Sequence, residues 1–387
     1  MNYMEAVIKE IERLKPELIN ISRNIHSKPE LAFKEFFASD TLTSFLNGQS
    51  FKIKRGVGGL PTAFIASAAF GRGTPSIAFI AEYDALPKIG HACGHNMIGA
   101  ISIGAATAIK NTASDLDGKI YVIGTPAEEG GGGKIRLIEK GVFKGIDLAI
   151  MAHPSNKTRV AMKMLAVVEI TFTFIGKSSH AAAFPYEGIN ALDGVILTYN
   201  NINALRQQLK EDVRIHGIIT EGGEAPNIIP DRASARFYVR ALDMKYFKEV
   251  VEKVKDCARG AAKATQCKLR VDTGRFVYHP FKPNYTLAGV VRDNMELLGL
   301  KENSIGETAG IGSSDIGNLS QIIPTIHPEF AIAKSNIVNH SPEFAEAAIS
   351  KYAMDMMIKM TKVVAMTAID ILSSPEKVRE ISREFRR

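Results

Sequence analysis

The segment SIAFIAEYDALPKIGHACGHNMIGAISIGAATAI, residues 76–109, decides the fold class. Residues 76–82 form an apolar run of strand length, and 97–109 form an almost wholly apolar run of helix length, interrupted by Ser102 and glycines. A buried strand that feeds a buried helix through a polar turn is the repeating unit of an α/β sheet. The turn carries Asp84, His91, Cys93, His95 and Asn96 around two glycines. In such sheets the residues that do chemistry collect at strand ends, in the loops leading to the next element.

Working outward, an amphipathic helix is expected from the start of the chain to about residue 25, and further strands at 61–66, 119–124 and 147–152. Together these predict a mixed sheet flanked by helices. The middle reads differently: strand 166–176, helix 190–210, strand 213–221, strand 232–241, helix 245–264, strand 268–273. That order, βαββαβ, predicts a ferredoxin-like sandwich. The chain then regains α/β character and ends in a long helical stretch from residue 342. Ser341 stands there as N-cap, with Pro342 and Glu343 in the first turn. The expectation is a discontinuous catalytic domain, 1–164 and 275–387, with 165–274 inserted as a separate domain. A length of 387 residues suits two domains.

Composition narrows the function. With 45% hydrophobic and 23% charged residues, the chain reads as soluble and globular. The 97–109 run is too short for a membrane span, and the N-terminal segment lacks the apolar core of a secretory signal. No membrane partner is therefore expected. Three cysteines are too few for a disulfide framework and suggest a reducing, cytoplasmic setting. The net charge of +7 comes from scattered basic residues with no aromatic-interleaved stripe, so no nucleic-acid partner is expected. A small substrate bearing a carboxylate is an easier use for the excess charge.

Two stretches carry chemistry. In HACGH, Cys93 and His95 precede the apolar helix, where the helix dipole favours a thiolate, and Cys-x-His lets two ligand atoms converge on one or two cations. In TPAEEGGGGK, residues 125–134, two adjacent carboxylates close an apolar strand ahead of four glycines. On an extended backbone Glu128 and Glu129 point apart, so that one binds metal while the other takes a proton from water. A phosphate loop is excluded, because Ile135 follows Lys134 where Ser or Thr is needed. His153 after the 147–152 strand and His340 before the capped helix share the same junction geometry. His180 in the inserted domain reads as a turn histidine or a substrate contact. Asn227 lies in a hairpin loop, and Arg240 on a strand.

These motifs resemble the aminoacylase and carboxypeptidase-type dinuclear metallopeptidases, in the branch of indole-acetyl-amino-acid hydrolases, aminobenzoyl-glutamate hydrolases and β-alanyl-dipeptidase-like proteins. The resemblance runs from RNIHSKPELAFKEF (23–36) through DALP, HACGHN, PAEEGG, AHPS, SSHAA, PNIIPD, YVR and GSSDIGN to NHSPEF. It implies a metal-bearing α/β domain with an inserted lid that also forms a homodimer, and two divalent ions per subunit, zinc foremost, with manganese or cobalt as alternatives. It implies that Cys93, His95, Glu129, His153 and His340 are the ligands, with Cys93 bridging. Glu128 is then the general base, and Asp84 the acid that orients a ligand. His180 steadies the oxyanion, while Asn227 and Arg240 contact substrate. His327 offers a competing donor to His340. Asn96 stands where many relatives carry an acid after CGH. The implied activity is hydrolysis of the amide bond in acyl-amino acids, aminobenzoyl-glutamate-like compounds or dipeptides with a free carboxylate. A cysteine hydrolase using Cys93 as nucleophile and a non-catalytic binding relative are the competing readings.

Overall fold

The computed structural model describes residues 3–304 and 310–387. The first two residues of the expected N-terminal helix lie outside that range. The chain divides into two compact units, Met1–Lys163 with Phe281–Arg387, and Met164–Pro280.

In the first unit, helices α1 (Tyr3–Ser27) and α2 (Phe36–Gly48) precede strands β1 (Lys52–Arg55), β2 (Phe64–Phe70) and β3 (Ser76–Ala81). Helix α3 (His95–Thr112), β4 (Gly118–Gly124), α4 (Gly133–Glu139), β5 (Leu148–Ile150) and β6 (His153–Ser155) follow. The second unit comprises β7 (Ala166–Ile175), α5 (Ala191–Arg206), β8 (Arg214–Glu221), β9 (Arg232–Ala241), α6 (Met244–Thr265) and β10 (Lys268–Thr273). The chain returns to the first unit with α7 (Tyr285–Leu297), α8 (Ile316–Leu319), β11 (Thr325–Ile326), β12 (Glu329–Ala331), α9 (Pro342–Ala347), α10 (Lys351–Leu372) and α11 (Pro375–Phe385).

The main sheet has the order β1-β2-β4-β3-β5-β11. Strands β4, β3, β5 and β11 run parallel, and β1 and β2 are antiparallel additions. The sheet is therefore mixed, as expected. Every residue of β3 is buried, and so is α3 from His95 to Ile109, which explains why residues 76–109 read as unbroken apolar runs. Helix α3 packs on β3 and β4 and against α1 and α10. Each large side chain it buries contributes roughly 2 kcal/mol.

Two expectations are corrected in this unit. The strand expected at 61–66 is Phe64–Phe70, because Pro61 and Thr62 form a turn and the strand runs on to Phe70 in register with β4. The helical stretch from 342 is three helices, since Ser350 and Ser374 each accept a backbone N–H as a new N-cap.

In the second unit the sheet order is β10-β7-β9-β8, antiparallel throughout, as a βαββαβ sandwich requires. Ala233, Ala235, Phe237, Val239 and Ala241 of β9 are buried, and Arg232, Arg236 and Tyr238 alternate with them on the exposed side. Asn190 caps α5 and Asp243 caps α6. No helix among the described residues is long and apolar enough to cross a membrane.

Candidate active site

The parallel strands β3, β4, β5 and β11 all deliver polar residues from their carboxyl ends: Glu82 and Asp84, Glu128 and Glu129, His153, and His327. The turn after β3 leads to Cys93 and to His95, the first residue of α3. Gly94 makes this turn possible. Its φ is +77°, and a Cβ there would lie 2.7 Å from Pro154 Cβ, so only glycine lets the turn meet the β6 segment. His340 arrives from the other side of the chain. Its N–H donates to Ala92 O at 2.9 Å, and Ser341 behind it caps α9 through the Phe344 N–H.

Three sets of donor atoms lie within 4.8 Å of one another: Cys93, His95 and His153; Cys93, Glu129 and His340; His95, Glu128 and Glu129. Cys93 Sγ is 3.7 Å from His153 Nε2, and His340 Nε2 is 3.5 Å from Glu129 Oε1. His327 belongs to none of these sets among the described residues. It is buried with its ring 5.1 Å from that of His153, centroid to centroid.

The donors are aimed by their other bonds. His95 Nδ1 lies 3.0 Å from Asp84 Oδ1 and donates to it, which turns the Nε2 lone pair inward. Asp84 Oδ2 accepts the Glu129 N–H at 3.0 Å, so one carboxylate fixes both a histidine ring and the acid-bearing turn. His153 Nδ1 donates to Pro154 O at 2.6 Å, leaving Nε2 to face Cys93. His95 Nε2 and Glu129 Oε1 are buried and make no hydrogen bond, which suits a group that a cation completes.

The acid pair does not sit as the sequence suggested. Glu128 and Glu129 occupy a turn rather than an extended strand end, because Ala127 has φ +61° and the Gly130 N–H closes on Glu128 O at 2.7 Å. Glu128 Oε2 and Glu129 Oε1 therefore converge, each 4.0 Å from His95 Nε2. Burial, together with the neighbouring Glu129 and Glu82 charges, pushes the Glu128 carboxyl well above its ordinary range. Burial opposes charge on His95, yet Cys93 and the bond to Asp84 hold it well above the ordinary imidazole range. A cluster of this kind calls for positive charge at its centre.

Cys93 also departs from expectation. Burial and the Glu129 charge push its thiol up to about 12, against the opposing effect of His95. A thiol in that state is a poor nucleophile, whereas a bound cation stabilises the thiolate directly. The cysteine-hydrolase reading is not favoured.

Behind the cluster lies a charged trio that sequence reasoning did not assign. Lys134 Nζ is 2.5 Å from Glu82 Oε1 and 2.5 Å from Asp315 Oδ1, and Glu82 Oε2 is 3.5 Å from His95 Nε2. Asp315 Oδ2 also accepts the Lys134 N–H at 2.9 Å. Burial lifts Asp315 to about 6 even beside this cation. The signal was only the words GGGGK and GSSDIGN, whose partnership no local spacing reveals.

His180, Asn227 and Arg240 belong to the second unit. His180 Nδ1 accepts the N–H groups of Ala182 and Ala183, so its Nε2 carries the hydrogen. The Ala181 N–H donates to Asn227 O at 3.0 Å, joining the two loops. Arg240 faces Val167 on one side and Arg214 on the other, with its guanidinium 5.7 Å from the Tyr238 ring.

The model of peptidase family M20/M25/M40 matches residues 78–358. The chain belongs to this family. It is thus a hydrolase of amide bonds of the metallopeptidase type. Among its M20 relatives, the Xaa-Arg dipeptidase of Mus musculus is 41% identical over 382 residues, covering 95% of this chain and 88% of the relative. A p-aminobenzoyl-glutamate hydrolase component of Escherichia coli is 32% identical over 320 residues, 77% of this chain and 66% of that protein. A dinuclear metal-binding M20 peptidase from Bacillus subtilis shares the fold with a TM-score of 0.71 at 21% identity, covering 93% of this chain and 99% of the other.

Proposed function

We propose that the chain is a dinuclear metal-dependent dipeptidase or acyl-amino-acid hydrolase whose substrates carry a free carboxylate. The observation that carries this reading is the convergence of Cys93, His95, His153, Glu129 and His340 in two donor sets that share Cys93, with Glu128 beside them. Cys93, His95 and His153 would hold one ion, and Cys93, Glu129 and His340 the other. Zinc suits such a thiolate and imidazole set best, and manganese or cobalt can substitute. When bound, the ions supply Lewis acidity that lowers the pKa of water and polarises the amide carbonyl.

This chain's residues do the rest. Glu128 takes a proton from the attacking water and returns it to the leaving amine. Asp84 keeps His95 and the Glu129 backbone in register. His180, with its hydrogen on Nε2, is assigned to the oxyanion of the tetrahedral intermediate, and Asn227 and Arg240 to the substrate's carbonyl and carboxylate.

A terminal carboxylate is common to Xaa-Arg dipeptides and to aminobenzoyl-glutamate, the compounds named for two of the relatives. Dipeptides ending in arginine are the first substrates to test, given the likeness over 95% of the chain. We further propose a homodimer through the inserted unit. Strand β8 is a sheet edge with Ile218 and Ile219 exposed, and a second copy pairing there would take up its open backbone groups and extend the sheet. The three free cysteines fit a reducing, cytoplasmic setting.

The test is a metal-stripped preparation reconstituted with Zn2+, Mn2+ or Co2+ and assayed on Xaa-Arg and other dipeptides, acyl-amino acids and aminobenzoyl-glutamate, with metal content measured alongside. Two ions per chain and restored turnover on at least one carboxylate-bearing set are expected. Glu128→Gln should retain both ions and lose about a hundredfold or more in kcat. Full activity in the stripped protein, or in Glu128→Gln, would refute the assignment.

A further inference from the structure

Three buried carboxylates each accept one backbone N–H from the segment that carries Glu128 and Glu129. Glu35 takes that of Ala127 at 2.9 Å, Asp84 that of Glu129 at 3.0 Å, and Asp315 that of Lys134 at 2.9 Å. Asp84 and Asp315 also bond side chains of the cluster, His95 and Lys134. Glu35 makes its other bonds elsewhere. Its Oε1 accepts the Phe33 N–H at 2.9 Å, and its Oε2 the Thr62 hydroxyl at 2.9 Å. The side chain is fully buried, yet it belongs to the loop before α2, far in sequence from the acid pair.

Its bond falls on a residue whose backbone is left-handed, as is that of Phe33, which donates to the same oxygen. Ala127 immediately precedes Glu128 and has φ +61°, a left-handed conformation that disfavours any residue with a Cβ. Such a conformation persists only where the surroundings over-determine it. Here the Ala127 carbonyl accepts the Gly131 N–H at 3.1 Å, and the Ala127 N–H is taken by Glu35.

We propose that Glu35 is a positioning residue for Glu128: it locks Ala127 in the left-handed turn and so aims the carboxylate that handles the water's proton. This rests on the reading of Glu128 as general base. The lock needs an acceptor rather than a charge, because a single oxygen, Oε1, takes both N–H groups with its two lone pairs. A glutamine carbonyl serves as well. Alanine removes the acceptor, leaves the Ala127 N–H buried and unmatched, and lets the turn relax.

The experiment measures kcat, KM and bound metal for the zinc-reconstituted full chain on the best dipeptide. Glu35→Gln should keep kcat within about threefold, and Glu35→Ala should lower it about tenfold or more with KM within about twofold and metal unchanged, as expected for a displaced catalytic group. Ala127→Gly removes the Cβ penalty, so in the Glu35→Ala background it should recover about threefold or more, while alone it changes kcat little. The proposal is overturned by a Glu35→Ala enzyme with full kcat, by a loss that follows metal content, by an equal loss in Glu35→Gln, or by no recovery with Ala127→Gly. If Glu35→Ala does not fold, Thr62→Val removes one bond that aims the carboxyl. It should cost about threefold in kcat at constant metal, and an unchanged kcat overturns the proposal. Glu128→Gln is run in parallel. Activity there refutes the base itself, whereas an inactive Glu128→Gln beside a fully active Glu35→Ala refutes only the positioning role.

Discussion

Replacing Lys134 with methionine keeps the length of the side chain and removes its charge. Nζ lies 2.5 Å from both Glu82 Oε1 and Asp315 Oδ1, and the three side chains are at most 1% exposed. Methionine leaves two carboxylates in the interior with no cation between them. Removing one partner of a buried ion pair costs about 3–5 kcal/mol. Proton uptake limits the cost, because each pKa unit by which a carboxyl must be titrated is worth about 1.4 kcal/mol, and Asp315 already stands at about 6 with the lysine present. The loss therefore depends on pH. In the variant, Glu82 and Asp315 bind protons more readily folded than unfolded, so its stability falls as pH rises from about 4 toward 7. In the native chain burial raises Glu82, but Lys134 together with His95 and His153 outweighs it and holds the carboxyl below its ordinary value, which has the opposite sign. Urea unfolding followed by circular dichroism at pH 7.5 and 5.5 should show a deficit of about 3–5 kcal/mol that shrinks at the lower pH. In a thermal melt that deficit is about 6–10 °C for a unit of this size. A loss below about 1 kcal/mol at pH 7.5, or an equal deficit at both pH values, refutes the reasoning.

Burial lifts Glu35 from 4.5 to about 7, so its contribution to stability is full below the unfolded value and fades as pH rises through 7. Since about 3 kcal/mol rides on that shift, Glu35→Gln should gain in Tm over the native chain between pH 5 and 8.5, and parallel Tm curves would disprove it. Asp84→Ala frees the His95 ring and the Glu129 N–H together, and should weaken zinc binding about 10–100-fold in a competition titration with a fluorescent chelator. Unchanged affinity would show that Asp84 orients nothing. A Cβ at Gly133 would fall 1.7 Å from Pro126 O, a backbone atom that cannot swing aside. Gly133→Ala should cost at least about 2 kcal/mol, and a native melting curve refutes this.

The elements that read well in the sequence are those with a local signature. The βαββαβ order of the inserted unit was legible because its strands alternate and its helices carry their own caps at Asn190 and Asp243. Strand β1, KIKR, gave no signal, since three of its four residues are exposed and charged at a sheet edge. Cys93, His95, Glu128 and Glu129 stood out because each combines a reactive side chain with a strand-to-helix turn. The left-handed Ala127 did not, because alanine announces no such turn, and so the acid pair was expected to diverge. Glu35, Lys134 and Asp315 were unreadable for another reason. A buried charge is defined by its partner, and these partners lie 92 and 181 residues away in sequence.

The split of the first unit also sets an order of assembly. The donors Cys93, His95 and His153 leave the ribosome in one continuous segment, but Cys93 and Glu129 meet His340 only after the whole of Met164–Pro280 has been made. Asp315 and the edge strand β11, which pairs Thr325 with Ala149, arrive equally late. One donor set thus lies within a continuous segment, whereas the other waits for a closure over more than two hundred residues. Contacts of such long sequence separation form slowly. Closure of the His340 segment onto Glu129 is thus the late step in forming the cluster.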